Sequence, residues 1–104
     1  MSTAPPQRIR RGRPTGSKSA DPAIALALGQ AVLAVRTGLN VSQESLALAS
    51  GIGRSNLSSI ENGRLTPNFV AVVKIASALN CSVLALVEEF ERAYRRSKDE
   101  GLPP

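Results

Sequence analysis

Residues 43–63 read QESLALASGIGRSNLSSIENG. Almost every position in this run meets a steric demand of two short helices crossing at a tight turn. Ala47 sits midway along the first helix, where the second would cross, and a bulky side chain there would force the two apart. Gly51 follows four residues later, where a chain leaving a helix commonly takes a left-handed backbone that glycine accepts without a Cβ penalty. Ile52 plugs the turn, and Leu46, Leu57 and Ile60 supply the other inward positions, with Leu57 and Ile60 three apart on one helical face. Arg54, Ser55, Asn56, Ser58 and Ser59 fall between these apolar residues. They form a face of short polar groups and one arginine that is free to meet a partner.

Two helices joined in this way make the helix-turn-helix that places its second helix in the major groove of double-stranded DNA. The segment resembles the phage repressor/Cro (XRE-type) helix-turn-helix family, and the likeness runs from about residue 23 to residue 90. The resemblance implies an all-α fold, a compact five-helix bundle of the lambda-repressor-like DNA-binding type with the helix-turn-helix formed by helices 2 and 3. In such proteins an arginine late in helix 1 pairs with the glutamate that precedes Asn-Gly at the end of the recognition helix. Arg36 and Glu61 occupy those positions, so the resemblance implies a scaffold ion pair. The glutamine opening helix 2 binds a backbone phosphate in the family, and Gln43 stands there, just after Ser42 as an N-cap. Glu61-Asn62-Gly63 and Thr66-Pro67 complete the pattern.

Working outward, the apolar stretch AIALALGQAVLAV at 23–35 follows an arginine-rich start, as a secretion signal would. Gly29 and Gln30 interrupt it after six residues, and it reads better as helix 1 over 22–39. Leu28, Val32, Val35 and Leu39 fall at helical spacing, Asp21-Pro22 provides a cap and first turn, and Asn40 is a left-handed stop. Helix 2 is expected over 43–50 and helix 3 over 54–62. Thr66 is expected to cap helix 4 with Pro67 at its first position, and Phe69, Val72, Val73, Ile75, Ala76 and Leu79 give its apolar side until Asn80 ends it. Ser82 then caps helix 5, whose stripe of Val83, Leu84, Leu86, Val87, Phe90 and Tyr94 runs to about residue 96. The chain thus divides into a flexible basic arm at 1–21, a helix-turn-helix domain at 22–96 with helix 5 as dimerisation element, and a disordered tail at 97–104.

The 104 residues allow one domain, and a helical part of this size is near the lower limit for an independent core. A net charge of +5 favours polyanionic partners. The excess is uneven: residues 1–22 carry five basic side chains against one acidic, 23–87 four against two, and 88–104 four against five. With no histidine and Cys81 as the single cysteine, neither a disulfide within the chain nor a cysteine-histidine zinc site is available, and a cytoplasmic setting fits. Cys81 fills a small apolar position and reads as an inert thiol. No metal or other cofactor is expected, no run approaches the length needed to span a membrane, and the chain offers neither a catalytic constellation nor a glycine-rich nucleotide loop. An enzyme is therefore not expected.

On the reading face, Arg54 opens helix 3, from where its guanidinium reaches guanine O6 and N7, a phosphate clamp being its alternative role. Ser55 and Ser59 align with positions that read bases in the resembling repressors. Asn56 suits either adenine or a phosphate. Gln43, Ser58, Asn62 and Arg64 are candidates for phosphate contacts that set register without carrying sequence information. At the N-terminus, Arg10-Arg11-Gly12-Arg13-Pro14 resembles an AT-hook, an extended segment lying in the narrow minor groove of A/T-rich DNA. A basic tail that raises nonspecific affinity is the plainer reading.

Val83, Val87, Phe90 and Tyr94 continue the helix 5 stripe beyond what covers a compact domain. Burial within the chain is one outcome. The other is a homodimer through helix 5, placing two recognition helices about one DNA turn (~34 Å) apart on a near-palindromic site. Taken together, the sequence reads as a DNA-binding transcriptional regulator, a dimeric repressor occupying a promoter operator. An antitoxin or other module with a protein partner, held by the Phe90 and Tyr94 end, is the alternative. A controller of plasmid transfer, lysogeny or restriction genes is equally compatible.

Overall fold

The computed structural model describes residues 21–101. Over these the chain forms five helices and no strand: α1 (Pro22–Gly38), α2 (Gln43–Ser50), α3 (Arg54–Glu61), α4 (Phe69–Ala78) and α5 (Val83–Gly101). The all-α five-helix expectation holds. The arm residues Arg10, Arg11, Gly12, Arg13 and Pro14 lie outside the described residues.

Local chemistry sets each boundary. The Asp21 carboxylate accepts the Ala23 amide at 2.9 Å, and Pro22 follows at the first helical position, where its missing N–H costs nothing. Ser42 and Ser82 cap α2 and α5 through their hydroxyls, accepting the amides of Ser45 and Ala85 at 3.0 Å each. At the other ends, α1 and α4 close with the same four-residue corner. Asn40 and Asn80 turn left-handed (φ 59° and 56°), and the amides of Val41 and Cys81 reach back to the carbonyls of Arg36 and Ala76 at 3.0 Å. The two corners swing α1 into α2 by 105° and α4 into α5 by 109°. Gly51 takes the left-handed turn (φ 75°) between α2 and α3.

Four expectations need correction. Helix α4 starts two residues late: Asn68, not Thr66, is its cap, accepting the Ala71 amide at 2.8 Å, and Pro67 lies before the helix. Asparagine is the stronger cap, and using it there keeps its amide out of the helix interior, where it would compete with backbone bonds. The apolar side expected of α4 is also too wide for one-sided cover: Val72, Ile75, Ala76 and Leu79 are buried, while Phe69 and Val73 face out. Leu39, expected in the core, is the C-cap of α1 and is half exposed. Helix α5, expected to stop near residue 96, continues to Gly101, so residues 97–101 belong to it rather than to a tail.

Leu46, Leu57, Ile60, Ile75, Leu86 and Val32 are the fully enclosed large side chains, so every helix contributes to one core. Helix α1 lies between α5 and α3, α4 packs on α2 and α5, and α3 is braced by α1 and α2. The side of α1 toward these neighbours is built from small residues, Ala25, Ala27, Gly29 and Ala31, all buried. No single helix among the described residues is long and apolar enough to cross a membrane.

Candidate nucleic-acid interface

Helix α3 spans two turns and buries Leu57, Ile60 and Glu61. At 3.6 residues per turn the opposite side carries Ser55, Ser58, Ser59 and Asn62, with Arg54 and Asn56 on its two flanks. Arg54, Ser55, Asn56 and Asn62 are exposed, and Ser58 and Ser59 half-buried. Arg54 borders a groove with Glu44 and Leu48 of α2, and Asn56 borders one with the loop from Leu65 to Asn68. The sequence grouped Arg54, Ser55, Asn56 and Ser59 as one reading set, and the structure spreads them over about half the circumference of the helix. Asn62 sits beside Ser58, its Nδ2 3.5 Å from the Ser58 hydroxyl, and Arg64 is exposed in the loop that follows.

The C-terminal end of α3 is held by a cluster of polar bonds. Arg36 grips Glu61 with two parallel hydrogen bonds, Nε to Oε2 at 2.7 Å and Nη2 to Oε1 at 3.0 Å, and its Nη1 donates to the Val41 carbonyl at 2.9 Å. The Arg36 and Glu61 side chains are only 12% and 5% exposed, so the charges are removed from water and depend on each other. The bond to Glu61 pushes the Arg36 pKa above its ordinary value despite burial. Gln43, read from the sequence as a phosphate contact, also donates its Nε2 to Glu61 Oε1 at 3.0 Å.

The sequence reading missed the part played by two glycines. Gly29, taken there as an interruption of an apolar run, faces the carbonyls that end α3: a Cβ at this position would overlap the Ile60 oxygen and stand 2.8 Å from that of Glu61. Gly63 (φ 75°) turns the chain out of α3 directly against α1, where a Cβ would lie 2.9 Å from the Leu26 Cα. A lone glycine inside an alanine-rich helix was the available signal, since it costs about 1 kcal/mol relative to alanine there and calls for a packing reason.

Helix α5 sorts its apolar residues differently from the expected dimer set. Val83 and Phe90 are half-buried and pack against the core, and Tyr94 stacks on Phe90 with ring centroids 5.5 Å apart. The Lys98 ammonium lies 5.2 Å from the Tyr94 ring centre. Of the four, only Val87 is exposed, and it is joined on the open surface by Leu84. Cys81 is half-buried in the corner before α5, where burial raises its thiol pKa and leaves little thiolate to react.

A short helix crossed by a second at a glycine turn, backed by a shared core and bearing an unburied polar face, defines a helix-turn-helix DNA-binding protein. The Helix-turn-helix family (HTH_3) matches residues 32–86, more than half of the chain, and the chain belongs to it. Among solved structures, the restriction-modification controller protein C.AhdI from Aeromonas hydrophila is 34% identical with a TM-score of 0.60, covering 62% of this chain and 97% of its own. The clp gene regulator ClgR from Corynebacterium glutamicum appears in two structures. One is 26% identical at TM-score 0.71, covering 74% of this chain and 82% of that one; the other is 29% identical at 0.66, covering 70% and 95%. No curated protein sequence matches the chain. Family and fold make it a non-enzymatic DNA-binding regulator of transcription.

Proposed function

We propose that the chain is a cytoplasmic, dimeric repressor that occupies a near-palindromic promoter operator. The observation that carries this reading is the division of α3 into two halves. Its apolar side and C-terminal end are tied into α1 and α2, while Ser55, Ser58, Ser59 and Asn62 take no part in the core. On this reading Arg54, Ser55, Asn56 and Ser59 meet base edges, and Gln43, Ser58, Asn62 and Arg64 hold backbone phosphates.

The dimer is supported by apolar surface that the fold leaves open. Leu84 and Val87 on α5, and Phe69, Val70 and Val73 on α4, are each between 39% and 68% exposed. Two copies joined there present two recognition helices to successive turns of one face of the duplex. The division into a basic arm at 1–21 and a globular domain is part of the same proposal, with the arm lying along an A/T-rich minor groove. Likeness to a restriction-modification controller and to a clp gene regulator supports control of a small set of genes.

The test is selection of duplexes from a randomised pool at about 0.15 M salt, using the full chain and a version lacking residues 1–20. Enrichment of a two-fold symmetric site by both, with A/T flanks for the full chain alone, is the expected result. Failure of the full chain to enrich any site overturns the reading.

A further inference from the structure

Glu61 binds one donor more than its ion pair needs. Arg36 alone satisfies both carboxylate oxygens through its fork, at 2.7 and 3.0 Å, and neutralises the charge. Gln43 nevertheless places its Nε2 3.0 Å from Oε1 of the same carboxylate. Gln43 is the first residue of α2 and Glu61 the last of α3, so this bond joins the two helices that make the motif.

An ionised carboxylate only accepts hydrogen bonds, so the Gln43 side chain must present N–H to it. Holding one N–H of a planar amide restricts the orientations open to it, and with them where the second N–H and the carbonyl oxygen can point. Glutamine is among the side chains that lose most rotamer freedom when ordered. Here the bond to Glu61 meets part of that cost before any partner arrives. Arg36 uses a third donor on the Val41 carbonyl at 2.9 Å, and it cancels a negative charge that would otherwise repel a phosphate.

Resting on the DNA-binding reading above, we propose that Glu61 is a positioning residue for DNA: it holds the Gln43 amide so that the remaining N–H meets one backbone phosphate in fixed register with the α3 face. The carboxylate itself touches no nucleotide. Its effect on affinity runs through Gln43, in addition to its part in joining α1 to α3.

The experiment uses a duplex enriched by the wild-type full chain. Affinity and phosphate-ethylation interference are measured for the wild type, Gln43→Met, Glu61→Gln and the double variant, with the folded fraction of each fixed by circular dichroism at the binding temperature. The expected result is a loss of about tenfold for Gln43→Met, with one phosphate missing from its interference pattern. The same phosphate is missing for Glu61→Gln, and the double variant binds no more weakly than the weaker single one. Glu61→Asp keeps a charge for Arg36 while withdrawing the oxygens from Gln43 by one methylene, and carries the same expectation should Glu61→Gln fold poorly. Even weakening at every phosphate in proportion to the unfolded fraction, or losses that multiply in the double variant, overturns the proposal. A wild-type chain that enriches no duplex instead overturns the DNA reading on which it rests.

Discussion

Gly29 of α1 lies against the carbonyl oxygen of Ile60 in α3 with no room for even a methyl group between them. The recognition helix is therefore set on its scaffold by backbone meeting backbone, and the Arg36–Glu61 fork and the Gly63 turn fix the same end within a few residues. Position and tilt of the polar face follow from that end, since the start of α3 at Gly53 has no side-chain cap to hold it.

Gly29→Ala tests this contact with a clear sign. Helix propensity alone would make the change stabilising by about 1 kcal/mol. The overlap with Ile60 and Glu61 makes it destabilising instead, by about 2–3 kcal/mol, because backbone must move to admit the methyl group. A thermal melt followed by circular dichroism should show a midpoint roughly 10 °C lower, and a midpoint equal to or above that of the wild type would contradict the geometry.

Glu61→Ala leaves the Arg36 guanidinium charged and without its main partner, and should cost about 3–5 kcal/mol in urea denaturation. The bond to Glu61 raises the folded pKa of Arg36 above its unfolded value, so the stability it contributes is fully present below the unfolded value and is lost only as pH rises through the folded one, far above neutrality. With no histidine in the chain, the melting midpoint of the wild type should stay level between about pH 6 and pH 8. A midpoint that slopes steeply across that window would show a titrating group that this account lacks.

Arg54 and Arg64 should fail in different ways. Arg54→Ala is expected to relax selection at one base step, with about 1–3 kcal/mol of discrimination lost. Arg64→Ala should weaken all duplexes alike and lower the salt slope of binding by about one. Affinities for the selected site and single-base variants at several salt concentrations separate the two patterns, and an interchange of the patterns would reverse the assignments.

Replacing Leu84 and Val87 together by glutamate should leave the melt of the isolated fold little changed, since both side chains already face solvent. Sedimentation velocity should then show monomer where the wild type shows dimer, with operator affinity falling in parallel. An unchanged distribution would move the dimer contact to another surface.

Much of this architecture is legible from residue types whose effect is local. Gly51 and Asn40 announce left-handed backbone, Ser42 and Ser82 announce helix starts, and the spacing of Leu46, Leu57 and Ile60 fixes the inner side of the motif. The Arg36–Glu61 fork joins residues 25 apart and was accessible only through resemblance. What escaped depends on neighbours in space. The closeness of Gly29 to Ile60 needs the crossing of α1 and α3, the outward turn of Phe69 and Val73 needs the position of α2 and α5, and the bond from Gln43 to Glu61 needs both ends of the motif together.

The paired corners at Leu39-Asn40-Val41-Ser42 and Leu79-Asn80-Cys81-Ser82 have a kinetic consequence. Each closes through bonds spanning five residues or fewer and so requires little loop entropy, whereas the seat of α3 on Gly29 joins positions some thirty residues apart. The corners are expected to form ahead of the rate-limiting step and the seat to complete after it. In a denaturant chevron, Asn40→Ala and Asn80→Ala should slow refolding, while Gly29→Ala should mainly hasten unfolding. The reverse assignment would mean that α1 docks on α3 before either bend is made. On the expected order, the polar face of α3 is the last part of the molecule to become rigid and the first to loosen.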